Sequence, residues 1–210
     1  MNKILMDGDK LYYNGDIDKI EVDGYATIFI KDILNYKLDI TVKKSSTLNI
    51  YIFASKNSDS TLNINQESES NVTLVHTFKI DGYYNFKYRA SISGNKNINN
   101  VLISGVSNGR VSLDVDGIVS KKTESNELNE NIKVLTINGK CFVAPKLHVS
   151  ALDVLANHNT AISNVREDEL FYLFSKGIDK KHAISLIEDS YVYGYLKSSS
   201  NEFLDYVIKE

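Results

Sequence analysis

The stretch STLNIY (46–51) is followed by a near copy, STLNIN (60–65), and by a looser third version, SNVTLV (70–75). In the first, Leu48, Ile50 and Ile52 share one parity while Asn49 and Tyr51 take the other. Leu62 and Ile64 repeat the arrangement, as do Val72, Leu74 and His76. Strict alternation marks a strand with one buried face. Further alternating runs follow at Tyr84–Tyr88, Asn100–Ser104, Arg110–Val115, Ile132–Ile137 and Lys146–Ser150. Runs recurring every 10 to 15 residues or so, at roughly that spacing, suit a sandwich, a barrel or an irregular solenoid. Like polar residues also recur, Asn49 with Asn63 and Ser46 with Ser60. That favours stacked coils, in which equivalent positions lie above one another.

The rest of the chain agrees with a strand-rich body. It has one proline, no tryptophan and thirteen tyrosines, and aromatic and β-branched residues suit a pleated, half-buried surface. Seven glycines follow Asp or Asn (Gly8, Gly15, Gly24, Gly82, Gly109, Gly117 and Gly139), all before residue 140. Such pairs accept positive φ and turn the chain sharply. A chain of 210 residues, 42% hydrophobic, is long enough to bury a core without covalent staples. A single cysteine, Cys141, excludes an internal disulfide framework and a multi-thiolate zinc site. A net charge of −3 gives no global pull toward nucleic acid or anionic membrane. No apolar run reaches the roughly 18 residues of a membrane span, and Met1–Lys10 lacks a signal-peptide layout, so a cytoplasmic location is expected.

After Asn157 the pattern becomes helical, which predicts a β body over 1–157 and a helical subdomain over 158–210. Asn164-Val165-Arg166-Glu167 has the form of a capping box, and Leu170, Phe171, Leu173 and Phe174 follow as an apolar stripe that Gly177 would stop. Asp179 is placed to cap a second helix, with Ile184, Leu186, Ile187 and Tyr191 as its expected buried side. Ser198–Ser200 then separates a short third helix carrying Phe203, Leu204 and Val207.

Motifs for familiar chemistry are absent. There is no Gly-x-x-x-x-Gly-Lys-Ser/Thr loop, no Gly-x-Ser-x-Gly elbow and no His-Glu-x-x-His. Cys141 reads as a core or edge residue, and His76, His148 and His182 are scattered. Asp114/Asp116 and Glu167/Glu169 have the spacing of solvated faces.

His158 stands out by its surroundings. Pro145 and Leu147 lead to Asp153-Val154, then to Asn157-His158-Asn159-Thr160-Ala161. Glu167-Asp168-Glu169 is followed by Leu170-Phe171-Tyr172-Leu173 and Ser175-Lys176-Gly177-Ile178. The order resembles the C-terminal signature of the SufB/SufD family, scaffold proteins of the SUF iron–sulfur cluster assembly system, and most closely its SufD branch. The resemblance implies a mainly β fold, a right-handed parallel β-helix-like solenoid with a C-terminal α-helical subdomain.

It also implies a non-catalytic scaffold that docks a SufC-like ABC ATPase through its C-terminal helices. The docking residues carried over are Leu170, Phe171, Tyr172, Phe174, Lys176, Gly177 and Ile178. Aromatic anchors suit that role; the alternative is that these aromatics pack onto the β body, Phe171 foremost. His158 matches a histidine at the family's subunit interface, a ligand for iron or for a cluster. The expected second partner is another SufB/SufD-type subunit, like or unlike this one, with no nucleic acid and no membrane.

The match has departures. In SufB the cluster-related cysteine lies near where this chain has Glu130, and Asn159 stands where SufB has a glutamate. One cysteine and one histidine fall short of a cluster's usual four ligands. The chain alone is therefore expected to hold no cofactor, and an iron–sulfur cluster would be carried transiently with a partner. A competing reading is a carbohydrate-binding or lyase-like β-solenoid, whose polar ladders and exposed tyrosines would meet sugars.

Overall fold

The computed structural model describes residues 2–209. Its elements run β1 (Asn2–Leu5), β2 (Asp9–Tyr13), β3 (Lys19–Val22), β4 (Tyr25–Lys31), β5 (Lys37–Val42), β6 (Thr47–Ala54) and β7 (Ser58–Gln66). They continue with β8 (Asn71–Ile80), β9 (Tyr83–Ile92), β10 (Ile98–Ser107), β11 (Arg110–Val119), β12 (Glu124–Thr136), β13 (Lys140–Val149) and β14 (Asp153–Asn164). Three helices close the chain, α1 (Glu167–Ser175), α2 (Lys180–Ser199) and α3 (Asn201–Ile208). Odd-numbered strands form one parallel sheet and even-numbered strands the other, each strand pairing with the one two places along. The chain is a two-faced parallel β-solenoid.

Register shows how the repeats stack. Asn49 lies beside Thr73, Thr73 beside Asn100, Asn100 beside Asn129 and Asn129 beside Asn157. Asn63 belongs to the opposite sheet, beside Asp39, to whose carboxylate its amide donates at 2.7 Å. The two near-identical strings are therefore successive strands of one coil and do not stack on each other. A solenoid coil here takes two strands, so the alternating runs mark strands and the true repeat is twice as long.

Inward residues form aliphatic columns. Leu11, Ile28, Ile50, Leu74 and Val101 follow one another across β2, β4, β6, β8 and β10 and are all buried. His76 also lies inside, where its Nε2 meets the Tyr84 hydroxyl at 3.0 Å. Burial pushes the His76 imidazole down to about 3, so it is neutral in the fold.

The corner glycines serve two different needs. Gly8, Gly15 and Gly24 take positive φ, as the Asx-Gly reading expects. Gly82, Gly109 and Gly139 do not; they stack one above another at a corner. A Cβ at Gly109 would come within 1.9 Å of the Gly82 carbonyl oxygen, and one at Gly139 within 2.4 Å of that of Gly109. Close approach of stacked backbones requires glycine at these three positions.

The helices follow from their caps, with one correction. Asp179 Oδ1 accepts from the backbone N–H of Lys181 and His182, and Ser200 Oγ from that of Phe203, as expected of N-caps. Asn164 does not cap α1. It ends β14, its side chain accepts from the Thr136 hydroxyl, and Arg166 takes the N-cap position. Strand β14 thus carries the body through His158 to Asn164.

α2 and α3 lie across the outer face of the even sheet. Phe29, Phe53, Val75, Val106 and Leu135 from the strands enclose a second core with Val192, Leu196, Phe203 and Val207. Phe203 stacks on Phe29, centroids 5.3 Å apart. Lys79–Glu188 at 2.8 Å and Lys10–Glu202 at 2.6 Å pin the helices to β8 and β2. The tail leaves the last coil and runs back over the first. On α2, Ala183, Val192 and Leu196 are buried, whereas Leu186 of the expected buried side is exposed. Among the described residues no helix is long and apolar enough to cross a membrane.

Candidate functional site

The aliphatic column beginning at Leu11 does not end in an aliphatic residue. Val101 is followed by Glu130 of β12, and Glu130 by His158 of β14. Glu130 sits on the buried parity with Leu128, Ile132 and Val134 and is 5% exposed. Gly117 adjoins it; a Cβ there would crowd Leu128 Cδ2 at 2.7 Å and Leu147 Cδ2 at 2.9 Å and stand at ordinary contact, 3.4 Å, from Glu130 Oε1. Burial, with the Asp116 carboxylate adding to it, pushes the Glu130 carboxyl up to about 8. Its Oε2 has no hydrogen-bond partner among the described residues. The group is a buried carboxylic acid that keeps its proton at neutral pH.

His158 occupies an inward position on a strand that no further coil covers, so its imidazole is exposed. Asn157 and Asn159 flank it on the outer parity, and with Glu130, Asn100 and Asn129 they line a shallow depression of about 430 Å³. The neighbouring asparagines are bonded to one another. Asn157 Nδ2 donates to Asn129 Oδ1 at 3.2 Å, and Asn129 Nδ2 to Asn100 Oδ1 at 3.0 Å. Their amides are engaged along the ladder, which leaves less for a sugar to bind.

Cys141 also faces inward on the last coil, in β13 on the opposite sheet, packed against the edge of the main core. Burial pushes its thiol up to about 12, so it is no thiolate nucleophile at neutral pH. Asp116 is buried between Arg89, at 3.1 Å, and His148, at 3.5 Å. Among the described residues, no three His, Cys, Asp or Glu side chains gather closely enough to hold a metal ion. The chemistry at His158 is that of one accessible imidazole above one protonated acid.

Glu130 is a member of this site that the residue-level reading did not select. The signal was available: a charged residue on the apolar parity of a strand.

The helical residues do not follow the alternative of packing onto the β body. α1 has no buried residue. Phe171 is 75% exposed, Tyr172 62% and Phe174 43%, while Leu170 and Ile178 are half-buried. Phe171, which under the packing alternative would pack foremost, is the most exposed of the three aromatics. The Lys176 ammonium lies 5.5 Å from the Tyr172 ring centroid. Gly177 ends the helix at φ +81°, and the Ile178 N–H closes on the Leu173 carbonyl at 3.2 Å. Leu170, Phe171, Tyr172, Phe174, Lys176, Gly177 and Ile178 are thus gathered on one exposed helix and its C-terminal turn. His158 lies apart from them on β14.

The last coil is exposed as well. β13 and β14 end their sheets, and Phe142, Val149, Leu152, Leu155 and Ile162 are open to solvent around them.

Known proteins show the same pattern of likeness. A family model described as "SUF system FeS cluster assembly, SufBD core domain" matches residues 38–191. A curated relative from Synechocystis sp., an iron–sulfur cluster assembly SufBD family protein, is 33% identical over 69 residues. That match covers 33% of this chain and 15% of the relative's length.

Proposed function

The chain belongs to the SufBD family of SUF iron–sulfur cluster assembly proteins, and on that premise we propose that it is a scaffold subunit, not itself an enzyme, that engages a SufC-like ABC ATPase in the cytoplasm. The observation that carries this is α1. A nine-residue helix with no buried residue presents two aromatics more than half exposed, whereas Phe203 of α3 is fully buried and the tyrosines of α2 are partly so. Exposed aromatics clustered on a short rigid element are what an interface uses as anchors.

The second partner is another SufB/SufD-type chain, meeting the uncovered coil. Two unpaired strand edges rimmed by exposed apolar side chains are a template for further pairing. His158 lies on that coil, so an imidazole there can share a cluster, carried as cargo, with ligands from the second chain. The chain by itself supplies too few.

The test is recovery of tagged protein, at native expression level, from its source cell. An ABC-type ATPase is expected to co-purify. Recovery without any such ATPase would contradict the proposal.

A further inference from the structure

The strip of the even sheet beneath α2 is not wholly apolar. Thr77, Ser104 and Lys133 are adjacent in register across β8, β10 and β12. Thr77 is 0% and Ser104 4% exposed, and neither hydroxyl has a hydrogen-bond partner among the described residues. From the helix side, the Tyr195 hydroxyl is buried and equally without a partner. An orphaned buried hydroxyl is costly, so the Ser104 and Tyr195 hydroxyls, which border the same groove, point to an occupant that satisfies them.

There is room for one. Ser104, Lys133, Tyr191, Gly194 and Tyr195 line a groove of about 390 Å³ between α2 and the sheet. Gly194 borders open space, where a Cβ would meet nothing within 4 Å. The groove has a sign: no carboxylate lines it. The Lys133 ammonium, 5.5 Å from the Tyr195 ring centroid, makes no ion pair among the described residues. One cation and two unpartnered hydroxyls are donors without a matching acceptor.

We propose that this groove binds a small tetrahedral oxyanion, a phosphate or a phosphoryl group, with the Lys133 ammonium and the Ser104 and Tyr195 hydroxyls as donors. A phosphate oxygen accepts from ammonium and hydroxyl alike, in the short charge-assisted bonds that phosphate favours. Water could satisfy the hydroxyls, whereas a phosphate oxygen satisfies them and also meets the exposed Lys133 ammonium. This site is independent of the scaffold proposal and of His158.

The test is a titration of the whole chain with inorganic phosphate, with adenosine monophosphate in a parallel arm and potassium chloride holding ionic strength constant. Backbone amide shifts are read by NMR. Saturable shifts confined to Ser104, Lys133, Gly194, Tyr195 and their neighbours are expected. Lys133→Gln and Ser104→Ala should each weaken binding about fivefold, the loss of one hydrogen bond's worth. Tighter binding of the nucleotide assigns the site to a phosphoryl group, and equal binding to free phosphate; either supports the site. No saturable shift in either arm, or affinity unchanged in both variants, overturns it.

Discussion

His158 stands in register directly above Glu130, at the open end of an otherwise aliphatic column. Neighbouring strands lie about 4.8 Å apart, so an exposed imidazole sits one rung over a buried acid that holds its proton up to about pH 8. A folding core has no use for either group at that position. The column's earlier members, from Ile28 to Val101, show what packing alone selects.

A role in handling clusters makes a direct prediction. Anaerobic loading with iron and sulfide, with the partner scaffold chain and ATPase present, should give less cluster with His158→Ala than with wild type. Since His158 is exposed, its melting temperature should stay within a few degrees. Equal cluster content, read from absorbance and iron analysis, would remove His158 from the mechanism.

Glu130 should cost the fold stability. Its carboxyl is raised from the ordinary 4.5 to about 8, so the folded chain holds a proton that the unfolded chain releases. Stability therefore falls as pH rises from 4.5 through about 8. Glu130→Val, which continues the aliphatic column, should stabilise the protein by about 1–3 kcal/mol at neutral pH. Glu130→Gln should flatten that pH dependence. Urea unfolding across this range measures both.

His76 has the opposite sign. Its imidazole, lowered from 6.5 to about 3, stays neutral in the fold while the unfolded chain gains a proton. Its contribution is complete above pH 6.5 and is lost as pH falls toward 3, at up to about 1.4 kcal/mol per pH unit. His76→Gln, which still offers Tyr84 a hydrogen-bond partner, should be less stable at neutral pH and show a shallower acid limb in the same assay.

Phe203 holds the tail to the body. It is 0% exposed and stacks on Phe29. Phe203→Ala should destabilise by about 3–5 kcal/mol. Hydrogen exchange should rise first in α3 and the C-terminal half of α2, with the β8–β10 ladder protected longest. Uniform loss of protection would show that the helices are not a separable layer.

Strand identity was legible because period-two alternation follows directly from which face is buried. Caps at Asp179 and Ser200 were legible because they are local. Coil stacking was not. Corners of unequal length make the separation in sequence differ from coil to coil, so Asn49 and Asn63 look equivalent yet face opposite ways, and only register pairs Asn49 with Thr73. Asn164 was misread because a side chain that caps a helix equally well accepts from a neighbouring strand, here from Thr136. Leu186 was expected to be buried because helical periodicity shows a stripe but not what lies opposite it; the sheet surface it would meet is covered by Val192, Leu196 and Phe203. His158 was found through its family resemblance; the apolar parity of its strand marked Glu130 as unusual, and the register alone placed it beneath His158.

The central claim is that α1 is gripped by an ABC-type ATPase. The most direct measurement is calorimetric titration of the purified chain with the purified SufC-like ATPase, repeated with Phe171→Asp and Tyr172→Asp. Both side chains are more than half exposed, so both variants should keep the wild-type melting temperature. The account predicts saturable binding by the wild type, weakened by 2 kcal/mol or more, on the order expected of interface anchors, in at least one variant. No binding by the folded wild-type chain, or equal affinity in all three proteins, would contradict it.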